Sequence, residues 1–376
     1  MHKLLHVLAA CAVLALSSAP ALAADTIKIG VAGAHSGDLA SYGIPPLRAA
    51  QIIADEYNAK GGLLGKQLEI IAQDDQCKPE LANNAATKLI SDGAVIVMGH
   101  ICSGATIAAI PAYANSKIIS VSPSATTPAL TKGGKNPYFF RTIANDDDQA
   151  RLAAEFITKK LGKTKVAYIH DNGDYGKGYA EAVRREIGNK AAVVLFEAIN
   201  PDAPDFSAVV KKVRKEKADV LVFGGYHPAA SKLVTNMRKN HMDIPLVGPD
   251  GLKDEQLIKM AGKYAEGLYA SQPQDTSDLP SHKAAHANHV KKFGNDPGIF
   301  YYNAYAATLA IVNAIEKAGS LDSQKIIDAL HNDFVETPVG KIRFNSLGEP
   351  VGVGLSMYQV QNGKFVELKD STMMLN

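Results

Sequence analysis

The chain has no tryptophan, only three cysteines and only 7% aromatic residues in 376 positions. Three thiols are too few for a multi-bridge scaffold or a four-thiolate zinc site, so small disulfide-built and zinc modules are excluded. A charge excess of one sign is also missing: 40 Lys and Arg stand against 38 Asp and Glu, a formal net charge of +2. A surface that works by neutralising phosphates or coating an anionic membrane needs a basic excess, so nucleic acid is not an expected partner. Glycine and proline, at 31 and 18 residues, are near the average for folded domains, and there is no low-complexity tract or short-period repeat. Collagen-like and disordered chains are therefore excluded. What remains is an ordinary globular composition, 46% hydrophobic and 21% charged, in a chain long enough to bury more than one core.

The long apolar run stands at the start. Met1-His2-Lys3 is short and basic, Leu4 to Leu16 is apolar apart from His6, and Ala21-Leu22-Ala23 before Ala24 is a small-residue cleavage pattern. This predicts a secretory signal peptide over residues 1–23, removed on export. The run is shorter than the roughly 20 residues that span a bilayer. Leu8-Ala9-Ala10-Cys11 matches a lipidation pattern, but the apolar stretch continues beyond Cys11, which places that cysteine too early. In the oxidising compartment that export implies, Cys77 and Cys102 are expected to form a disulfide rather than persist as two free thiols.

The body alternates strand and helix. Thr26 to Ala32, Leu68 to Ala72, Ala94 to Met98 and Ile118 to Val121 read as strands. Between them, helices are expected from about Pro45 to Gly61, Glu80 to Ser91 and Thr106 to Ser116. After the extended Tyr138 to Thr142 a second series begins. It has strands at Val166 to His170, Val193 to Ala198, Val220 to Gly224 and Leu246 to Gly248, and helices near Asp148 to Leu161, Tyr179 to Ile187, Phe206 to Glu216 and Ala229 to Asn240. Two runs of βα units without a long linker predict an α/β protein of two doubly wound, Rossmann-like lobes. The remainder holds helices around His282 to Phe293, Tyr301 to Ala318 and Ser323 to His331. It ends in a hairpin, Val353 to Val360 and Phe365 to Leu368, turning on Asn362-Gly363. Patterning alone does not assign these last pieces to a lobe.

In open α/β sheets ligands bind beyond the carboxyl ends of the strands. Four loops there are rich in small and polar residues: Ala34 to Gly43, Gly99 to Thr106, Ser122 to Pro128 and Gly224 to Pro228. Ser103, Thr106, Ser124 and Thr126 fall near helix N-termini. Free amides there suit an anion such as a carboxylate, and plain helix capping fits these hydroxyls equally well. Asp250, in Gly248-Pro249-Asp250-Gly251, is either an ordinary turn residue or the partner of an ammonium. Tyr42, Tyr175, Tyr226 and Phe300 are aromatics placed to cover a ligand or to serve as core. Enzyme signatures are thin: there is no G-x-S-x-G elbow, H-E-x-x-H pair or phosphate loop, and a disulfide at Cys102 removes it as a nucleophile. Asp146-Asp147-Asp148 reads as acidic dipole complement at a helix start, not as a metal cluster, and Asp171-Asn172-Gly173-Asp174 lacks the spacing of a calcium loop. No metal and no cofactor is expected.

Taken in order, Asn58-Ala59-Lys60-Gly61-Gly62, Asp74-Asp75 before Cys77, Gly99-His100-Ile101-Cys102-Ser103, Arg141-Thr142, Tyr175-Gly176, Gly224-Gly225-Tyr226-His227-Pro228 and Gly248-Pro249-Asp250-Gly251 resemble one family over nearly the whole chain after the leader. It is the leucine/isoleucine/valine-binding type of solute-binding protein, which serves ATP-driven branched-chain amino acid importers. The resemblance implies a type I periplasmic binding fold with a three-segment hinge near residues 142–146, 272–276 and 349–355. Residues 24–145 and 274–352 would form the first lobe, and 146–273 with 353–376 the second. By position, Ser103 and the Thr126 amide would hold a ligand carboxylate. The Ser124 carbonyl, the Thr126 hydroxyl and Asp250 would take the ammonium, and Tyr226 would close from the second lobe. Tyr42, Ile101, Cys102, Tyr175 and Phe300 would line the side-chain pocket. Ser124 stands where the family has alanine, and Asp250 where it has the longer glutamate. The resemblance further implies a non-enzymatic, monomeric protein that delivers amino acids to a membrane permease with ATPase subunits. Another small ligand on the same fold (a non-branched amino acid, an amide, urea or an aromatic acid), a sensory module and an exported hydrolase are the competing expectations.

Overall fold

The computed structural model describes residues 26–375; the expected leader, with Cys11, lies outside them. Parallel strands covered on both faces read as unbroken apolar runs, and the first half of the chain contains several, its strand at Leu68–Asp74 being half-exposed instead. In order come β1 (Ile27–Gly33), α1 (Ala40–Ala59), β2 (Leu68–Asp74), α2 (Pro79–Ser91), β3 (Ile96–Met98), α3 (Ser103–Asn115), β4 (Ile119–Ser122) and β5 (Phe139–Arg141). The five strands form a parallel sheet in the order β2-β1-β3-β4-β5. The order reverses between β1 and β3, the kind of switch point beyond which doubly wound sheets bind ligands.

The second series repeats the winding. It runs α4 (Asp146–Glu155), β6 (Lys165–His170), α5 (Asp174–Ile187), β7 (Ala192–Ala198), α6 (Ser207–Lys215), β8 (Val220–Gly224), α7 (His227–Lys239), β9 (Leu246–Gly248), α8 (Glu255–Ala261) and β10 (Tyr269–Pro273). Its parallel strands lie in the order β7-β6-β8-β9-β10, with the switch between β6 and β8.

The pieces that patterning left unplaced find partners by burial. Helices α9 (Pro280–Phe293), α10 (Tyr301–Ala318) and α11 (Ser323–Asn332) share a core with the first sheet, in which Ala304, Ala307, Ile311 and Leu330 pack with Ile29, Ile96 and Ile119. Strands β11 (Val335–Thr337), β12 (Gly340–Phe344) and β13 (Pro350–Val351) form a small antiparallel sheet. Strands β14 (Gly354–Gln361) and β15 (Lys364–Met374) extend the second sheet, β14 antiparallel to β10 and β15 antiparallel to β14. Their two-residue turn has positive φ at Asn362 (52°) and Gly363 (72°), the backbone that an Asn-Gly hairpin requires. The chain therefore passes between the large sheets after β5, after β10 and after β13.

Three helices begin three or more residues before their apolar spacing predicts: α1 at Ala40, α3 at Ser103 and α5 at Asp174. Their first turns are made of small and polar residues, which carry no helical period. They are held instead by tertiary contact at the strand ends. Gly176 in α5 touches Gly224 of β8 so closely that a Cβ on Gly224 would lie 1.9 Å from the Gly176 carbonyl oxygen. Backbone must shift to admit one, so Gly224→Ala is expected to lose about 2 kcal/mol in urea unfolding. Gly178→Ala, with nothing within 4 Å of the new Cβ, is the control and leaves stability unchanged or slightly higher.

Candidate functional site

The carboxyl ends of both sheets face one another, and several strand ends lead to side chains in the same place. From the first sheet, α1 brings Tyr42, the β3–α3 loop brings Ile101 and Cys102, α3 opens with Ser103, and the β4 loop brings Ser124. From the second, α5 brings Tyr175, α7 is capped by Tyr226, and β9 leads into Asp250 and Gly251. Phe300, at the start of α10, closes the ring. The free volume among these side chains is about 10 Å³, so the two sheet ends are closed on one another and the side chains must part slightly to seat a ligand. Outside this closed site, between Asp38, Arg48, Lys253 and Asp254, runs a groove of about 870 Å³ whose lining mixes both charge signs without convergence.

The first sheet's end is ordered by hydroxyls. The Ser103 hydroxyl accepts from Thr127 N at 3.2 Å, tying the α3 N-terminus to the β4 loop. Ser124 donates its hydroxyl to Ile101 O at 2.7 Å, so that side chain is used in joining loops. Thr126 sits one step behind the cavity, fully buried, with its hydroxyl near Asp146 but without a partner at hydrogen-bond distance. Arg141, at the end of β5 and fully buried, donates to Ala125 O (2.8 Å) and Thr127 O (3.1 Å) on either side of Thr126 and to Glu349 Oε1 (2.9 Å). Below this loop His100 is locked between Asp75 (2.6 Å) and the Tyr113 hydroxyl (2.9 Å). Cys102 is joined to Cys77 with Cα atoms 5.3 Å apart.

The second sheet's end is built around Asp250, which is 1% exposed. Its Oδ1 accepts from Tyr175 (2.5 Å) and from Gln149 Nε2 (3.2 Å). Burial pushes its carboxyl up to about 6, against the pull of those two donors. Tyr175, Tyr226 and Tyr42 are buried enough that their phenols are held far above their ordinary range and stay neutral. Their rings and Phe300 form a continuous wall, with centroids 5.0 Å apart for Tyr175 and Tyr226 and 5.7 Å for Tyr42 against Tyr226 and against Phe300.

Tyr42 also fastens the two halves together. Its hydroxyl donates to Gly251 O at 2.5 Å and accepts from His227 N at 3.1 Å, with His227 Nδ1 at 2.8 Å. The single phenolic proton is committed to Gly251, so Nδ1 carries the hydrogen on the His227 side. Burial lowers the His227 pKa.

Several residues of this centre carry no sequence signal for it. Asp146 reads as the first of three helix-start acids, and two of those do lie outward, Asp147 on Arg185 and Asp148 on Arg151. Asp146 itself is fully buried beside Thr126. The one available hint is Asn145, whose side chain already caps α4 by accepting from Asp147 N and Asp148 N, leaving Asp146 without a capping role. Gln149 and Ser271 likewise carry no local signal, because Gln149 meets Asp250 and Ser271 across 101 and 122 residues.

A family model described as periplasmic binding protein matches residues 26–364. The leucine-, isoleucine-, valine-, threonine- and alanine-binding protein of Pseudomonas aeruginosa is 34% identical over 360 residues, covering 95% of this chain and 96% of that one. The Leu/Ile/Val-binding protein of Escherichia coli is 34% identical over 354 residues, 93% of this chain and 95% of that one. Among solved structures, the branched-chain amino acid transporter substrate-binding protein of Streptococcus pneumoniae in complex with isoleucine superposes with a TM-score of 0.83 at 30% identity, covering 91% of this chain and all of that one. With matching winding in both sheets and a shut site between them, the chain belongs to the periplasmic binding protein family.

Proposed function

We propose that the protein captures a free α-amino acid with an aliphatic side chain in the cleft between two lobes and presents the closed form to the permease of an ABC importer. The observation that carries this reading is Asp250: a buried carboxyl on one sheet's end, facing Ser103, Ser124 and the Thr126 loop on the other. A zwitterion needs both charges met once water is excluded, because an unmatched buried charge costs several kcal/mol. The hydroxyls and amides of the first sheet would take the carboxylate, and Asp250 with Thr126 the ammonium. An apolar side chain would lie against Tyr42, Ile101, Cys102, Tyr175, Tyr226 and Phe300. The relatives' names, in which leucine, isoleucine and valine appear as ligands, support the same class. Asp250 also disfavours an aromatic acid, which brings no cation to offset it.

In this reading residues 24–145 and 274–352 are one lobe, 146–273 and 353–376 the other, and the three passages between the sheets are the hinge. The chain acts after export, as a binder without turnover. Closure is favoured when one ligand contacts both lobes. Tyr42→Phe removes the seam's donor to Gly251 O and its acceptor for His227 N. It is expected to raise the Kd about tenfold, the equivalent of about 1.4 kcal/mol, mostly as faster dissociation in stopped-flow fluorescence. The function itself is tested by thermal shift of the mature protein against the twenty amino acids, small amides and aromatic acids. A large rise in Tm with branched aliphatic amino acids supports it. A rise with an amide or aromatic acid alone overturns it.

A further inference from the structure

The ammonium end of the cleft holds a second acid. Gln149 Nε2 stands 3.2 Å from Asp250 Oδ1 and 3.4 Å from Asp146 Oδ1, so one amide serves both carboxyls. Its orientation is fixed from the other side, where Gln149 Oε1 accepts from Ser271 Oγ (2.6 Å) and Asp250 N (3.0 Å). Asp146 Oδ2 is buried without a partner. Among the described residues no ion pair joins either carboxyl to a lysine or arginine. Arg141, whose field reaches Asp146, is already engaged with Glu349 and the loop carbonyls.

Two buried carboxylates sharing one neutral donor cannot both stay charged without a cation. We propose that Asp146 and Asp250 act as a pair that carries one proton before capture, and that the ligand's ammonium displaces this proton to solvent. The proposal rests on the amino acid reading above. The proton balance is simple: one proton leaves a carboxyl for bulk buffer, and the ammonium takes its place as the neutralising charge. The other groups facing the pair are Asp147, which also raises Asp146, Arg141, which lowers it, and the phenols of Tyr42, Tyr175, Tyr179 and Tyr226, which stay neutral. Burial and Asp250 together raise Asp146 well above the usual carboxylate range, in keeping with this arrangement.

The sign follows from linkage. The free pair holds its proton more tightly than the ligand-bound pair, so affinity is greatest above the free pair's range and falls as the pH drops through it, by up to about tenfold per pH unit. The test is titration calorimetry of the full mature protein with L-isoleucine at pH 6, in phosphate and in imidazole buffers of different ionisation enthalpy. It is repeated with Asp146→Asn, and the Kd is followed from pH 8 to 5. The expected result is release of about one proton per site and a Kd that rises on acidification, with both effects reduced in Asp146→Asn. Binding heat independent of buffer, with a flat Kd, overturns the proposal while leaving amino acid capture intact. Equal release from wild type and Asp146→Asn overturns the role of Asp146. Absence of binding by any amino acid instead removes the reading on which the proposal stands. Should Asp146→Asn fail to fold, the buffer comparison on the wild type still decides whether a proton is released.

Discussion

Asp250→Ala is expected to bind its amino acid about a hundredfold more weakly, close to 3 kcal/mol, in titration calorimetry at neutral pH. Removing one member of a buried charge pair leaves the other uncompensated, which costs about 3–5 kcal/mol. The lower end applies because Asp146, sharing Gln149 with Asp250, remains near the ammonium. The variant should fold, since the carboxyl it removes is itself raised to about 6 by burial and its loss relieves that cost. Asp250→Asn keeps the shape and an acceptor for Tyr175 and is expected to lose affinity nearly as strongly, which separates charge from packing. An unchanged Kd in Asp250→Ala removes this residue from the site.

Arg141→Ala is expected to have the largest effect on stability, a loss of about 3–5 kcal/mol in urea unfolding. Its guanidinium is fully buried, and its four hydrogen bonds go to two loop carbonyls, the Thr131 hydroxyl and Glu349 Oε1. Glu349 in turn accepts from Thr131 and from Asn145 at 3.2 Å. One residue therefore ties β5 and the β4 loop to the segments by which the chain enters α4 and leaves β12. Truncation leaves Ala125 O and Thr127 O without this donor and Glu349 without its cation. Because those carbonyls flank Thr126, amino acid affinity is expected to fall with stability. Arg141→Lys restores only part of either, since one ammonium cannot fork to both carbonyls and the carboxylate. A stability loss under 1 kcal/mol would contradict this account of the hinge-side anchor.

The alternation of elements was legible because parallel strands buried on both faces leave continuous runs such as Val220 to Gly224, and because Asn362-Gly363 fixes its own backbone. The binding loops were legible from small and polar residues at strand ends. Most of the site's assignment, though, came from family resemblance, since Asp250 read alone is first of all a turn residue. Helix starts were misplaced where, as at Gly176 against Gly224, tertiary contact rather than apolar period sets the first turn. The seam was invisible for a related reason: Tyr42 meets His227 and Gly251 across 185 and 209 residues, and no local pattern encodes such pairs. Asp146 was hidden by its neighbours, because three acids at a helix start satisfy the dipole argument whether or not one of them turns inward.

The central claim is that an amino acid draws two hinged halves shut by giving each a charge to hold. Small-angle X-ray scattering of the mature protein, alone and with saturating L-isoleucine, tests it most directly. The account predicts a smaller radius of gyration with the amino acid and a profile that fits the shut arrangement. Superimposable profiles, at a concentration where calorimetry shows the site filled, would contradict it.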